Sequence, residues 1–254
     1  MKIVRVRLPG EEIAYGAVEP EGIRIHQGTP FVAWEPTEAL VPFAEAHLLA
    51  PVFPTKVVCV GRNYAEHAAE HGVEVPDEPV IFLKPSTAVI GPGAAIVIPP
   101  GAGEVHHEAE LAIVVGKVSH RVAAEDASGH ILGYTAANDV SSRTLQKKDG
   151  QWTRAKGFDT FCPLGPAIET ELDPQGLRIS CSVNDELRQE ASTEDMVFGV
   201  AEIFAFVSRV MTLLPGDVVL TGTPAGVGPI RPGDRVEVEI ERIGVLLNPV
   251  VAGS

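Results

Sequence analysis

A mostly β fold with few helices is predicted for this chain of 254 residues. Short apolar runs bounded by turn residues recur along the sequence, as they do in proteins built from many short strands. The 21 prolines and 25 glycines are spread over the whole length, where they suit tight turns between such strands. The strand-like segments do not alternate with helical ones, which argues against folds that wrap helices around a parallel sheet.

Composition and charge exclude several classes of protein. With 45% hydrophobic and 21% charged residues, the chain is typical of a globular protein rather than a disordered one. A formal net charge of −14 argues against a nucleic-acid partner, because such a partner needs basic surface. No apolar run is long enough for a bilayer, and early charges interrupt any signal-peptide core, so no membrane partner is expected. Three isolated cysteines favour a reducing compartment, hence a cytoplasmic protein.

Two domains are expected, a small β-rich N-terminal lobe over residues 1–52 and a larger domain over residues 53–254, here called the catalytic domain because it contains the candidate site residues. The elements predicted for the lobe are three strands and one short helical stretch, at 3–8, 13–18, 22–25 and 37–46. The strands predicted for the catalytic domain are at 56–60, 80–83, 111–115, 131–136, 179–183, 218–220 and 236–240.

Two helices are predicted in the catalytic domain. The first covers residues 61–72, with Asn63 as its cap, Glu66 at the capping-box position and Gly72 at its end. The second is a long amphipathic helix over residues 193–214, in which apolar residues recur at helical spacing.

The most informative stretch contains Glu108 and Glu110, followed later by Asp139 after another apolar run. If the two glutamates lie on one strand, they point to the same face and repel each other unless a cation lies between them. Three carboxylates without an evident soft ligand favour Mg²⁺ or Mn²⁺ over zinc. Two alternatives stay open: the acids are the exposed face of an edge strand, or His106 and His107 help to hold zinc.

A histidine and a glutamate share one face of the first predicted helix, because His67 and Glu70 are three residues apart. A carboxylate beside an imidazole orients it and raises its basicity, as a general base requires. An ordinary surface ion pair is the simpler alternative. With His71 the segment also matches the H-x-x-E-H zinc pattern of inverted metallopeptidases. That alternative is disfavoured because His71 directly precedes Gly72 at the end of a short helix.

Residues 141–155 are polar, basic and contain glycine. They are interpreted either as a lid that closes over the substrate, with Trp152 excluding water, or as a plain surface loop.

Seven segments, in this order and spacing, resemble the fumarylacetoacetate hydrolase family over nearly all of residues 56–250. They are VGRNYAEH at 60–67, PVIFLKPS at 79–86, HHEAE at 106–110, NDV at 138–140, AKGFD at 155–159, VNDELRQE at 183–190 and LTGTPAGVG at 220–228. The resemblance implies that family's mixed β-sandwich roll, here with the small N-terminal lobe added, and a homodimer.

The resemblance also implies roles for individual residues. The metal ligands are Glu108, Glu110 and Asp139, and the catalytic residues are His67, Glu70 and Lys156. The residues expected to contact the substrate are Arg62, Tyr64, Lys84, Arg143, Gln146 and Thr223.

A divalent-metal-dependent enzyme acting on a small 2-oxo acid is therefore expected. The leading hypothesis is cleavage of a C–C bond in an acylpyruvate-like acid, by hydrolysis or decarboxylation through an enolate stabilised by the metal. The alternative is a 2-hydroxyhepta-2,4-diene-1,7-dioate isomerase of aromatic catabolism, which the N-terminal extension of about fifty residues favours.

Overall fold

The computed structural model describes residues 1–70, 72 and 74–254, and it confirms a mostly β fold with few helices. The first strands are β1 (Lys2–Arg7), β2 (Ile13–Glu19), β3 (Gly22–Thr29), β4 (Ala33–Val41) and β5 (His47–Leu49). The next are β6 (Val57–Gly61), β7 (Val80–Lys84), β8 (Val89–Ile90), β9 (Ile96–Ile98), β10 (Val105–His107), β11 (Ala109–Val115), β12 (Ile131–Asn138) and β13 (Ser141–Ser142).

The remaining strands and the helices complete the described part of the chain. The strands are β14 (Cys162–Glu169), β15 (Arg178–Val183), β16 (Glu186–Ser192), β17 (Val218–Leu220), β18 (Gly228–Pro229), β19 (Arg235–Ile240) and β20 (Gly244–Ala252). The α-helices are α1 (Ala65–Glu70), α2 (Arg143–Asp149), α3 (Thr153–Lys156) and α4 (Val200–Val210), and 3-10 turns lie at Phe43–Glu45, Ser86–Ala88, Ala124–His130 and Thr193–Asp195. None of the described helices is long and apolar enough to cross a membrane.

A large mixed sheet forms the frame, in the order β4-β3-β2-β1-β14-β12-β11-β17-β6-β7. A five-stranded sheet, β16-β15-β19-β20-β9, packs on one face of it. Alternation along β11 explains this sandwich: Leu111 and Ile113 join the core beneath the second sheet, whereas Ala112 and Val114 join a second core on the opposite face. All seven residues of β11 are buried, as expected for a central strand covered on both sides.

The strands of the N-terminal lobe extend this same large sheet, because β1 pairs with β14. A domain boundary at residue 52 stays a prediction.

The helix predicted at 37–46 is wrong. Ala33–Val41 is a strand, paired with β3 in an antiparallel ladder, and only the 3-10 turn Phe43–Glu45 follows it. The Thr37 hydroxyl donates to the carbonyl of Ile25 at 2.8 Å and so supports this pairing. Because β4 is the edge strand, Pro36 and its missing N–H are tolerated there.

The helix predicted at 193–214 is too long, because the structure has a 3-10 turn at Thr193–Asp195 and then α4. Contacts with Asn63, the predicted cap of the first helix, explain the break between them. The backbone N–H of Val197 donates to the Asn63 carbonyl at 2.8 Å. The N–H of Phe198 donates to the Asn63 side chain, also at 2.8 Å. Residues 196–198 therefore lie outside both helical segments. Asn63 ties them to the loop after β6 and does not cap α1, which begins only at Ala65.

Residues 141–155 are not a plain loop, because β13 is followed there by two short helices, α2 and α3. The Ser142 side chain accepts from the N–H of Leu145 at 3.2 Å and so caps α2. Gly150 ends it at φ 69°, the left-handed conformation usual after a helix. Whether this pair closes over a substrate stays a prediction.

Candidate active site

The ends of four strands meet at one edge of the large sheet. Strands β6 and β17 are parallel, so both end at this edge. Strand β11 is antiparallel to both β17 and β12, so β11 begins and β12 ends at the same place. The loops that carry Arg62, Glu108, Asp139 and Thr223 are therefore adjacent, although the sequence spreads them over more than 150 positions.

Glu108, Glu110 and Asp139 form a buried cluster, here called the acidic wall. Each offers one carboxylate oxygen, and these atoms lie within 4.8 Å of one another. The N–H of Asp139 donates to the Glu108 carbonyl at 2.9 Å, which fixes the two loops against each other. The glutamates are 4% and 1% exposed, so the alternative that they are the solvent face of an edge strand is wrong.

Three cationic side chains surround the acidic wall. The ammonium of Lys156 donates to Glu108 at 2.7 Å and to Asp139 at 2.6 Å. Lys84 donates to the other oxygen of Asp139 at 2.5 Å. The guanidinium of Arg143 lies 2.5 Å from the second oxygen of Glu108. Buried charges need such partners, because transfer out of water is otherwise prohibitive.

The cations serve the three carboxylates unequally. Burial raises the pKa of Glu108, but Lys156 and then Arg143 outweigh it and hold that pKa well below its ordinary value. Burial, followed by repulsion from Asp139 and Glu108, raises the pKa of Glu110 well above its ordinary value. Among the described residues, Glu110 accepts one hydrogen bond, from the N–H of Gly222 at 2.7 Å. A cation bound beside Glu110 would relieve this excess of negative charge.

The donor set fits Mg²⁺ or Mn²⁺, since hard divalent cations prefer carboxylate oxygens. Within the described residues, the one group with metal-ligand geometry consists of carboxylates alone. His106 and His107 do not belong to it. The His106 ring contacts Glu104 at 2.6 Å, and His107 pairs with Gln189 at 2.9 Å. The zinc alternative based on these two histidines therefore lacks support in the geometry.

A cavity of about 210 Å³ opens onto the acidic wall. The lining also includes His67 from α1 and four residues of the α2–α3 segment, together called the helical wall: His67, Arg143, Gln146, Lys147 and Trp152. Arg62, Lys156, Phe82 and Thr223 also line the cavity. Arg62 adopts φ 61°, a left-handed conformation that costs a non-glycine residue energy.

The structure brings His67 and Glu70 together as expected, with 3.3 Å between Nδ1 and a carboxylate oxygen. Glu70 lies behind His67 and does not line the cavity. Both of its oxygens accept from the N–H of Gly226 at 3.3 Å, which links α1 to the loop after β17. The second histidine of the metallopeptidase pattern, His71, lies outside the described residues.

Two residues expected to contact the substrate lie outside the cavity lining. Tyr64 is 2% exposed and forms an isolated bridge with Met196. Its hydroxyl is deeply buried, and burial raises its pKa. Lys84 is 1% exposed and lies behind Asp139, where it contacts a predicted metal ligand. Their positions suit support of the site better than direct contact with the substrate.

Aromatic side chains close one end of the cavity. The rings of Trp152 and Phe82 meet edge to face, 5.1 Å apart, and the Lys156 ammonium lies 5.0 Å from the centre of the Phe82 ring. Gly61 makes this arrangement possible, because a Cβ there would come within 2.8 Å of the indole.

Sequence reasoning assigned no role to Gln189 or Phe82. Gln189, 1% exposed, hydrogen-bonds to His107, Ala109, Thr223 and Pro224. It lies in the VNDELRQE segment that contributed to the family resemblance. Its contacts are to residues at least 34 positions away, so local spacing carries no signal of them.

Known proteins with similar sequences cover nearly the whole chain. A model of the fumarylacetoacetate (FAA) hydrolase C-terminal domain matches residues 56–251, and a model described as Rv2993c-like, N-terminal, matches residues 1–51. Protein Rv2993c of Mycobacterium tuberculosis is 55% identical over 213 residues, which cover 83% of this chain and 80% of that protein. The mitochondrial oxaloacetate tautomerase Fahd2a of Rattus norvegicus is 47% identical over 224 residues, 84% of this chain and 72% of that protein.

Solved structures agree with these relatives. The crystal structure of a 2-hydroxyhepta-2,4-diene-1,7-dioate isomerase from Mycobacterium marinum is 48% identical, with a TM-score of 0.93, and the match covers 100% of this chain and 99% of that one. That of a 5-carboxymethyl-2-hydroxymuconate delta-isomerase from Mycobacterium smegmatis is 47% identical, with a TM-score of 0.93 and complete coverage of both chains. The resemblance derived from the seven sequence segments is thereby confirmed, and the chain belongs to the fumarylacetoacetate hydrolase family of enzymes.

Proposed function

We propose that this protein is a divalent-metal-dependent enzyme that interconverts the keto and enol forms of a small 2-oxo diacid, with oxaloacetate as the first candidate substrate. One observation carries the proposal: a single small cavity joins the three carboxylates of the acidic wall to Arg62, Arg143, Lys147 and Lys156. A substrate with two negative charges and a carbonyl oxygen matches that combination. The relatives named as a tautomerase and as isomerases support it, since both reactions move protons without breaking the carbon chain.

The acidic wall is the proposed site of Mg²⁺ or Mn²⁺. When bound there, the cation supplies Lewis-acid stabilisation of negative charge on a nearby oxygen. The side chains of the protein supply the rest. Arg62 and Lys147 lie among the cavity's cations and would bind a substrate carboxylate. Lys156 brings a buried positive charge, which would stabilise the negative charge that develops on the 2-oxo oxygen.

His67 is the proposed base. Its ring lines the cavity, and Glu70 contacts the Nδ1 atom, which orients the ring. The imidazole would take a proton from C3 of the keto form, the C–H electrons would form the C2–C3 double bond, and the 2-oxo oxygen would gain the negative charge. Protonation of that oxygen gives the enol, and the same steps in reverse restore the ketone.

Cleavage of a C–C bond, by hydrolysis or decarboxylation, remains the second candidate because of the same His67–Glu70 pair. A histidine held by a carboxylate is also the arrangement that activates a water for attack on a carbonyl. Loss of carbon dioxide from an oxaloacetate-like acid would need no such water. The two candidates therefore differ in the product: pyruvate forms only when the chain of carbon atoms breaks.

The test uses metal-stripped protein, Mg²⁺ and the enol form of oxaloacetate, with loss of enol absorbance and appearance of pyruvate measured together. Enol loss above the spontaneous rate, without pyruvate and abolished by EDTA, is the expected result. Replacing His67 by Ala should slow it by about 10²–10⁴-fold. His47→Ala, at an exposed histidine on β5, is the matched control and should change nothing. Metal-dependent pyruvate formation would replace the proposal by the cleavage reaction, and a rate equal to that without protein would reject both for this substrate.

A further inference from the structure

The side-chain amide of Gln189 makes all four hydrogen bonds that it can make, and these bonds link two parts of the candidate site. Its amide oxygen accepts from the N–H of Ala109 at 3.1 Å and pairs with the His107 ring at 2.9 Å. Its amide nitrogen donates to the hydroxyl of Thr223 at 2.8 Å and to the carbonyl of Pro224 at 2.9 Å. Unlike the ion pairs of the acidic wall, this side chain is neutral and lies outside the cavity lining.

The orientation of this amide is fixed from both ends. A backbone N–H only donates, so the atom that faces Ala109 must be the oxygen. A backbone carbonyl only accepts, so the atom that faces Pro224 must be the NH₂ group. Both constraints agree, and the reversed amide would place two mismatched pairs in a buried environment.

The orientation of Gln189 determines the polarity of Thr223. Because the Thr223 oxygen accepts from Gln189, the hydroxyl hydrogen is directed elsewhere. In the described part of the chain, that hydroxyl makes no other hydrogen bond, and Thr223 lines the cavity. The hydrogen is therefore available to an acceptor in the cavity.

We propose that Gln189 is a positioning residue that makes Thr223 an obligatory hydrogen-bond donor to an anionic oxygen of the substrate. The same amide holds Ala109, which lies between Glu108 and Glu110, so it also fixes the distance from that donor to the acidic wall. The identity of the oxygen, a carboxylate or 2-oxo oxygen of a 2-oxo acid, rests on the proposed function. The polarity of Thr223 does not.

Gln189→Glu tests the polarity with little change in shape. One carboxylate oxygen would keep the contact with Ala109, whereas the other would face Thr223 and accept its hydrogen, so the cavity would lose a donor. The probe is oxalate, a planar dianion, bound in the presence of Mg²⁺ and measured by calorimetry. Thr223→Val, the double variant and the exposed control Gln175→Glu complete the set.

Each single change in the site should weaken oxalate binding by about tenfold or more, the ordinary effect of losing a hydrogen bond to a charged group. The double variant should lose no more than about twofold beyond Thr223→Val, because Gln189 acts through that hydroxyl. A new negative charge acting by itself would weaken binding equally with or without the hydroxyl. Two results would overturn the proposal. One is a double variant whose loss of affinity is the product of the losses in the two single variants, and the other is a Gln189→Glu variant that binds oxalate as tightly as the parent.

A second replacement covers the case in which Gln189→Glu does not fold. Gln189→Met has similar length but no polar atom, so the Thr223 hydrogen would no longer be directed. It should weaken oxalate binding more in the parent than in Thr223→Val, where only the contact that holds Ala109 is left to lose, and an equal loss in both backgrounds would overturn the proposal. Turnover of oxaloacetate is measured separately. If oxalate binding by the parent and the variants follows the expected pattern but oxaloacetate is not turned over, only the proposed function is rejected. If the parent protein does not bind oxalate, the donor role of Thr223 is rejected.

Discussion

The two walls of the cavity are built in different ways. The residues of the acidic wall lie at the ends of β11 and β12, two central strands, and all three are at most 4% exposed. The helical wall rests on α1, α2 and α3, which have six, seven and four residues. Helices of that length are not stable alone and depend on contacts with the rest of the protein.

This difference separates two tasks. The sheet fixes the carboxylates that are proposed to bind the metal, because buried charges need partners at set distances. The short helices determine the shape of the space beside them. Changes to the acidic wall should therefore affect folding and activity together, whereas changes to the aromatic part of the helical wall should alter selectivity and leave folding intact.

Asp139→Asn should have the largest effect. Asp139 accepts from both Lys84 and Lys156, each almost fully buried, and the replacement leaves two ammonium groups with too little negative charge. Removing one partner of such a buried pair typically lowers the free energy of unfolding by about 3–5 kcal/mol. Activation by Mg²⁺ and oxaloacetate turnover should fall below detection. Urea unfolding and Mn²⁺ binding measure the two effects.

Asp185→Asn is the control for that change, because Asp185 is exposed and pairs with Arg235 at the surface. It should leave the urea midpoint and Mn²⁺ binding unchanged. If Asp139→Asn retains metal-dependent turnover, Asp139 is not a metal ligand, and the proposed difference between the two walls does not hold.

The sequence predicted the acidic wall better than the helical wall, and the reason is physical. Glu108 and Glu110 stand two residues apart at the start of an apolar run, so strand periodicity alone places them on one side. Asp139 follows another such run, and pairing of β11 with β12 brings the two together. The seven strands predicted for the larger domain were found within two residues, because alternation is a local property of the chain, but β14, β16 and β20 were not predicted.

Contacts between distant segments were not predictable in this way. Asn63 has the right type and position for a helix cap, yet its side chain bonds Phe198 and Thr221, 135 and 158 residues away. Local preference gave way to a buried tertiary interaction. Gln189 is the same case, since its side chain joins β16 to β10, to β11 and to the loop after β17, which meet only in the folded protein.

The stability of the protein should depend on pH through His107, which lies on β10, the strand that leads into the acidic wall. Burial, only partly offset by the hydrogen bond with Gln189, lowers the pKa of His107 to about 4, below the ordinary value of 6.5. The unfolded chain then binds the proton more readily, so this contribution to stability is present above pH 6.5 and is lost as the pH falls toward 4. The difference corresponds to about 3 kcal/mol.

His107→Asn keeps an N–H that reaches Gln189 but does not titrate. Urea unfolding in EDTA between pH 4 and 7 should therefore show a shallower loss of stability for this variant. His47→Asn, at an exposed histidine, should keep the slope of the parent. Equal slopes in all three proteins would mean that His107 binds its proton equally well in the folded and unfolded states.

Trp152→Ala should have the smallest effect on folding and the clearest effect on selectivity. The indole is half-buried and closes the cavity against Gly61 and Phe82, so its removal lengthens the space beside the helical wall. The ratio of kcat/KM for 2-oxoadipate to that for oxaloacetate should rise by about tenfold, the usual discrimination of a pocket for extra methylene groups. Trp34→Ala is the control, because Trp34 lies on β4, stacked on His26 at 3.8 Å.

The melting temperature decides what the Trp152 result means. If Trp152→Ala melts close to the parent and changes the ratio, the short helices set the shape of the cavity and contribute little to the frame. If it melts as low as Asp139→Asn, the packing of Trp152 on Gly61 is part of the frame itself. In that case the two walls are one cooperative unit, and substrate selectivity cannot change without a cost in stability.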